Sequence, residues 1–183
     1  VAPAGPRDAF ASAFVDSYDV VAANSPFTRT WIDQLWGVHS AVLSPPVVMR
    51  AGGTKRPVIL ALGRFFRPAS GHCKKQLEMV EAFRALFERG AARGWELHLV
   101  GGCSAEHRDY AMAVRRAAEG LPAYVHLNAP GEHLEELLSA ASICWHATGL
   151  GEDPQRYPDR LEHFGIAVVE AMSAGAVPIV YGQ

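Results

Sequence analysis

Two glutamates eight positions apart, Glu162 and Glu170, stand where a long polar loop gives way to an apolar run in HATGLGEDPQRYPDRLEHFGIAVVEAMSAG. Carboxylates so placed can accept paired hydrogen bonds, Glu170 from a ribose diol and Glu162 from a sugar hydroxyl. Gly165 and Ile166 open the helix between them. Free backbone N–H groups at a helix start, favoured by its dipole, suit a phosphate. At ~1.5 Å rise per residue the separation spans at most roughly 12 Å if helical throughout, about the length of a sugar diphosphate. An arbitrary glutamate pair is ordinarily a solvated, dipole-favoured helix face. Glu170 departs from that reading because it interrupts IAVVEAM, where a carboxylate is costly to bury without partners.

A second set of groups follows the apolar run VILALG: the loop GRFFRPASGHCKK carries Arg64, Arg67, Lys74 and Lys75. A cation at a strand end can neutralise a leaving phosphate, arginine as a bidentate donor and lysine as a compact charge. Taken alone, a solvated basic loop explains the same residues. Gly101-Gly102 allows close backbone approach, or simply a turn. His146 ends a strand on the same side, and a core or capping role is as open to it as a site role.

Other chemistries lack their residues. There is no G-x-x-x-x-G-K-[ST] loop, and Gly149-Leu-Gly151 lacks the third glycine of a dinucleotide fingerprint. No D-x-D offers a carboxylate pair for a metal diphosphate, so metal dependence is disfavoured. Cys103 with His107, and Cys144 with His146, are isolated pairs, which argues against structural zinc. The G-x-S-x-G elbow of a hydrolase is missing. Trp31, Trp36, Trp95 and Trp145 fall in expected elements and read as core or interface rather than a stacking platform.

These groups need a scaffold that brings strand ends together. YDVVAA (18–23) reads as a short strand, followed by Asn24, Ser25 and Pro26 ahead of the helical FTRTWIDQLWG. Pro45, Pro46 and then RAGGTKRP (50–57) mark the expected domain boundary, dividing the chain into 1–49 and 50–183. Beyond it, VILALG, WELHLVGG, AYVHLN, SICWHA and AVPIVYG read as strands. The segments 73–94, 104–121, 131–141 and 164–175 read as the helices between them. Such alternation predicts an α/β fold, a Rossmann-like parallel sheet with helices on both faces. Ligands of open parallel sheets bind beyond the carboxyl ends of the strands, where both sets of groups fall.

The composition permits this. The chain has 183 residues, 49% hydrophobic and 20% charged, with net charge −2, which suits a globular protein with one full core and part of a second. Its dispersed charge lacks the footprint of a nucleic-acid binder, so none is expected as partner. No apolar run approaches a bilayer span. Three scattered cysteines suit a reducing compartment, and a cytoplasmic location is expected. VAPAGPRDAF has neither an initiator Met nor the pattern of a signal peptide, and the chain stops just after a strand, so both ends read as cut from a longer protein.

EHFGIAVVEAMSAGAVPIV resembles the E-x7-E signature of glycosyltransferase family 4, retaining nucleotide-sugar transferases of the two-Rossmann-domain GT-B fold. LGRFFRPASGHCKKQLEMVEAF is similar to that family's first donor-domain strand and phosphate loop. YDVVAANSPFTRTWIDQLWG and VLSPPV are similar to the last N-domain unit and linker. The likeness covers about 18–183 and is nearest to mannosyltransferase-type members. It implies the C-terminal half of a GT-B fold, incomplete. By position, it implies that Arg64 and Lys74 contact the donor diphosphate, with Lys75 as the alternative to Lys74. Glu162 would meet the transferred sugar, Phe164, Gly165 and Ile166 would line sugar and phosphate, and Glu170 would bind the ribose. The nucleobase would lie near 126–129.

The same resemblance implies a nucleotide-diphosphate sugar as donor substrate, GDP-mannose or a UDP-hexose, with no cofactor and no metal. The acceptor would be a sugar or lipid-linked glycan, bound through an N-terminal domain of which little is present. Peripheral contact with the cytoplasmic membrane face would follow in the full-length protein. The chain by itself is then expected to bind donor and transfer nothing. Two alternatives share the architecture: a sugar-nucleotide epimerase, and a non-catalytic nucleotide-sugar-binding subunit.

Overall fold

The computed structural model describes residues 15–182. The reading of VAPAGPRDAF lies outside them. The main body is a five-stranded, wholly parallel sheet in the order β5-β4-β3-β6-β7, made of β3 (Arg56–Leu62), β4 (Glu96–Gly101), β5 (Ala123–Leu127), β6 (Ala141–His146) and β7 (Val177–Val180). Between consecutive strands run α2 (Gln76–Glu88), α3 (Arg108–Ala118), α4 (Gly131–Ala140) and α5 (Ile166–Ser173). Strand order reverses between β3 and β6, which opens a crevice at their carboxyl ends.

Strand β3 shows why the sheet is covered twice. Its successive side chains point to opposite faces, so Ile59 and Ala61 enter one core while Val58 and Leu60 enter the other. The first core packs Met79, Val80 and Phe83 of α2 and Ala111 and Val114 of α3 against Leu97 and Leu99. The second packs Leu137 and Leu138 of α4 and Ala171 of α5 against Val100 and Cys144.

A separate two-stranded parallel sheet joins β1 (Ala22–Ala23) to β2 (Ala41–Val42) around α1 (Pro26–Trp36). The expected helix-start cluster caps α1: Ser25 Oγ accepts the Thr28 N–H at 3.1 Å and Pro26 holds the first turn. Two expectations are revised. The first strand keeps only two residues of 18–23. Helix α2 begins at Gln76 rather than Cys73, because Lys75 takes the left-handed conformation at φ 58°. The helix after Glu162 opens where expected, with α5 starting at Ile166 behind Gly165 at φ 85°.

The segment expected as a boundary is docked on the main body. The Gly53 N–H donates to Ser139 O at 3.2 Å, and Lys55 Nζ donates to Ser139 O at 2.9 Å and to Ala174 O. Lys55 thereby satisfies carbonyls at the ends of two helices, where a cation also meets the negative ends of their dipoles.

Candidate functional site

A cleft of about 380 Å³ opens at the point where strand order reverses. Its walls hold all seven residues singled out in the sequence: Arg64, Lys74, Glu162, Phe164, Gly165, Ile166 and Glu170. Asn24, Pro45 and His146 complete the rim on the side of the small sheet and β6. A second lobe of similar size shares Gly63, Arg64, Ala167 and Glu170 and extends past Gly101 and Gly102 to Asn128 and Ala129.

The two glutamates are held differently. Glu162 Oε2 accepts Lys74 Nζ at 2.8 Å and meets His146 Nε2 at 2.7 Å, and its Oε1 accepts the Gly165 N–H at 3.1 Å. Burial pushes this carboxyl up, but hydrogen bonds from His146 and Lys74 outweigh it and hold the group well below the usual carboxylate range. Glu162 is therefore ionised at neutral pH, and its capping bond occupies one of the two N–H groups expected to be free. The N–H groups of Ile166 and Ala167 have no partner among the described residues. Glu170 lies on the fifth residue of α5 and its Oε1 accepts from Arg50 Nε at 3.2 Å and Nη2 at 2.6 Å.

The cations separate as well. Lys74 faces the cleft, whereas Lys75 Nζ turns to Glu152 Oε1 at 2.7 Å, which Arg160 also reaches at 3.2 Å from Oε2. Burial opposes the ionised Glu152 less than the Lys75 hydrogen bond favours it, so its carboxyl stays low. Arg64 is exposed, has no carboxylate partner among the described residues, and stands 5.1 Å from the centre of the Phe66 ring. It is a preplaced cation between the two lobes.

Sequence reading missed the residue that shapes the Arg64 loop. Gln76, only 2% exposed, donates from Nε2 to Gly63 O at 3.2 Å and Arg64 O at 3.1 Å, while its Oε1 accepts Tyr110 Oη at 3.1 Å. Its signal was the KKQ at a helix start, where a glutamine ordinarily reads as solvated. Gln76→Leu removes these bonds at once and is expected to cost about 1–3 kcal/mol of stability, read by denaturant unfolding. An unchanged midpoint contradicts the assigned support.

The expected nucleobase region divides. Asn128 and Ala129 line the second lobe, but Asn128 at φ 54° uses its amide on the turn, with Oδ1 accepting Cys103 N–H at 2.9 Å. His126 instead lies in a row of imidazoles, 3.0 Å from His98 Nδ1 and 3.1 Å from His133 Nε2. Burial, with the charges of His98 and His133, pushes His126 down to about 4. The unfolded chain protonates near 6.5, so between about 6.5 and 4 it binds more protons than the fold, and stability falls as pH drops through that window. Discounted for solvent screening, the loss is roughly 1–2 kcal/mol. His126→Gln should flatten that stretch of the stability profile, and an equal slope in the variant contradicts the assignment.

A five-stranded parallel sheet flanked by helices, with a cleft where its strand order reverses, is an architecture found in GT-B glycosyltransferases. The chain belongs to the glycosyl transferases group 1 family, whose model matches residues 56–182. It is similar to the "GDP-Man:Man(3)GlcNAc(2)-PP-Dol alpha-1,2-mannosyltransferase" of Xenopus laevis, 26% identical over 182 residues, covering 90% of this chain and 34% of that protein. The Homo sapiens protein of the same name is 28% identical over 186 residues, at the same two coverages. The chain thus spans about a third of the curated relatives' length. Among solved structures, sucrose-phosphate synthase from Thermosynechococcus elongatus matches with TM-score 0.64 at 21% identity, over 92% of this chain and 42% of that one. S. aureus TarM in complex with fondaparinux, alpha-GlcNAc-glycerol and UDP matches with TM-score 0.67 at 12% identity, over 94% and 31%. These two likenesses establish the fold.

Proposed function

We propose that residues 50–183 form the donor-binding domain of a retaining, metal-independent glycosyltransferase, and that 1–49 end an acceptor domain and its linker. The donor is a nucleoside-diphosphate sugar, and the names of the similar mannosyltransferases favour GDP-mannose over a UDP-hexose. The observation that carries the reading is one cleft in which Arg64, Lys74 and the open N–H groups of α5 face Glu162 and Glu170.

In this reading the diphosphate lies on Arg64, Lys74 and the N–H groups of Ile166 and Ala167. Glu170 accepts from the ribose and Glu162 from a sugar hydroxyl, while Phe164 and Gly165 shape the sugar pocket. As the anomeric C–O bond breaks, negative charge grows on the leaving phosphate, where these preorganised donors stabilise it. The acceptor oxygen attacks the same face and passes its proton to that phosphate. Lys74 is drawn from Glu162 toward the phosphate as the donor settles.

The acceptor, a sugar or lipid-linked glycan, docks through the rest of the full-length protein, at the cytoplasmic membrane face. No helix among the described residues is long and apolar enough to cross a membrane. Calorimetric titration with GDP, UDP, GDP-mannose and UDP-glucose, with and without EDTA, tests the reading. Selective, EDTA-insensitive binding of one base, without turnover by this chain, is expected. Absence of binding to a folded protein overturns it.

A further inference from the structure

The carboxylate proposed to bind ribose is itself held by a residue far away in sequence. Arg50 reaches across 120 positions to Glu170, with Nε and Nη2 both on Oε1, and its Nη1 pairs with Glu135 of α4. Oε2 of Glu170 has no hydrogen-bond partner among the described residues. The backbone places Arg50 firmly. Its N–H donates to Ser173 Oγ at 2.9 Å, and the next residues run tight against α5, so that a Cβ on Gly52 would stand 2.7 Å from Ala174 O. Side chains of Arg50 and Glu170 are 23% and 17% exposed, so the pair is shielded enough to hold one geometry.

We propose that Arg50 is a positioning residue for the donor: by gripping one oxygen of Glu170 with two N–H groups, it aims the other at the ribose hydroxyls. The inference rests on the donor-site reading above. Its physical basis is twofold. An isolated carboxylate in a cleft that also takes a diphosphate is repelled by that ligand, and the guanidinium offsets the repulsion. A carboxylate gripped at one oxygen also loses less rotamer freedom when the ligand binds. Because Arg50 joins α4 to α5 through Glu135 and Glu170, it ties together two helices that follow strands on either side of the cleft.

The test compares GDP with its 2′,3′-dideoxy analogue on the wild-type chain, Arg50→Gln, Arg50→Lys and Glu135→Gln, with thermal unfolding as a check on folding. Wild type should prefer GDP. Arg50→Gln should weaken GDP binding by about tenfold while leaving the dideoxy analogue within about twofold, so that the ratio falls toward one. Arg50→Lys should restore part of it, and Glu135→Gln should keep it, since the Glu170 contact survives. A ratio preserved in both Arg50 variants, or tighter GDP binding by them, overturns the inference while leaving the donor site standing. If wild type binds GDP and the analogue equally, the ribose role of Glu170 and this inference both fail. If it binds neither of these nor UDP, the donor reading falls with them. Should Arg50→Gln not fold, Arg50→Lys carries the same comparison.

Discussion

Gly101→Ala is expected to destabilise the fold by about 1–3 kcal/mol and to disable the cleft together with it. A Cβ there would lie 2.0 Å from Gly63 O and 3.2 Å from Arg64 N, so the obstacle is backbone that no rotamer change relieves. The closeness has a structural purpose. Gly63 N–H donates to Val100 O at 3.0 Å and Phe65 N–H to Gly102 O at 2.9 Å, so the ends of β3 and β4 run together past the last residue of each strand. The substitution must part them, and with them the turn that presents Arg64. Denaturant unfolding measures the loss. A fully stable Gly101→Ala protein would mean that the two strand ends do not pack this closely.

Arg64→Ala has the opposite profile: little change in stability and a weakening of nucleoside-diphosphate binding by roughly 10–100-fold. Its side chain is exposed and lacks a carboxylate partner among the described residues, so removing it strands no buried charge. A charge-assisted hydrogen bond to phosphate contributes about 1.5–3 kcal/mol, which is the stated factor. The loss should be larger for the diphosphate than for the monophosphate, because the cation stands between the two lobes. Equal affinities of wild type and variant, measured by calorimetry, contradict its assigned role. Together the two variants separate the scaffold that shapes the site from the charge that fills it.

Much of the fold was legible because β3 carries its information locally. An uninterrupted apolar run bounded by glycine marks a strand buried on both faces, and alternation with amphipathic segments implies a parallel sheet. The glutamates were legible for a related reason, since a carboxylate inside IAVVEAM needs partners and the strand-end rule places its loop at the ligand side. What escaped depends on contacts between distant elements. Arg50 reads as part of a polar linker until it meets Glu170 and Glu135. His98, His126 and His133 belong to three elements, and nothing in their spacing announces a row. Lys74 and Lys75 are neighbours in one loop, and what separates them is the left-handed backbone at Lys75, which turns its side chain to Glu152. The first strand was overread because YDVVAA has the apolar character of a strand, while only Ala22–Ala23 finds a partner, in Ala41–Val42.

The central claim is the location of the donor, and amide chemical-shift mapping during a GDP titration tests it most directly. Saturable shifts are expected at Gly63, Arg64, Gly101, Gly165, Ile166 and Ala167, and in Arg64→Ala the remaining ones should need roughly 10–100-fold more GDP to reach the same extent. Shifts confined to another surface, such as the apolar groove lined by Trp31, Trp36 and His163, would contradict it.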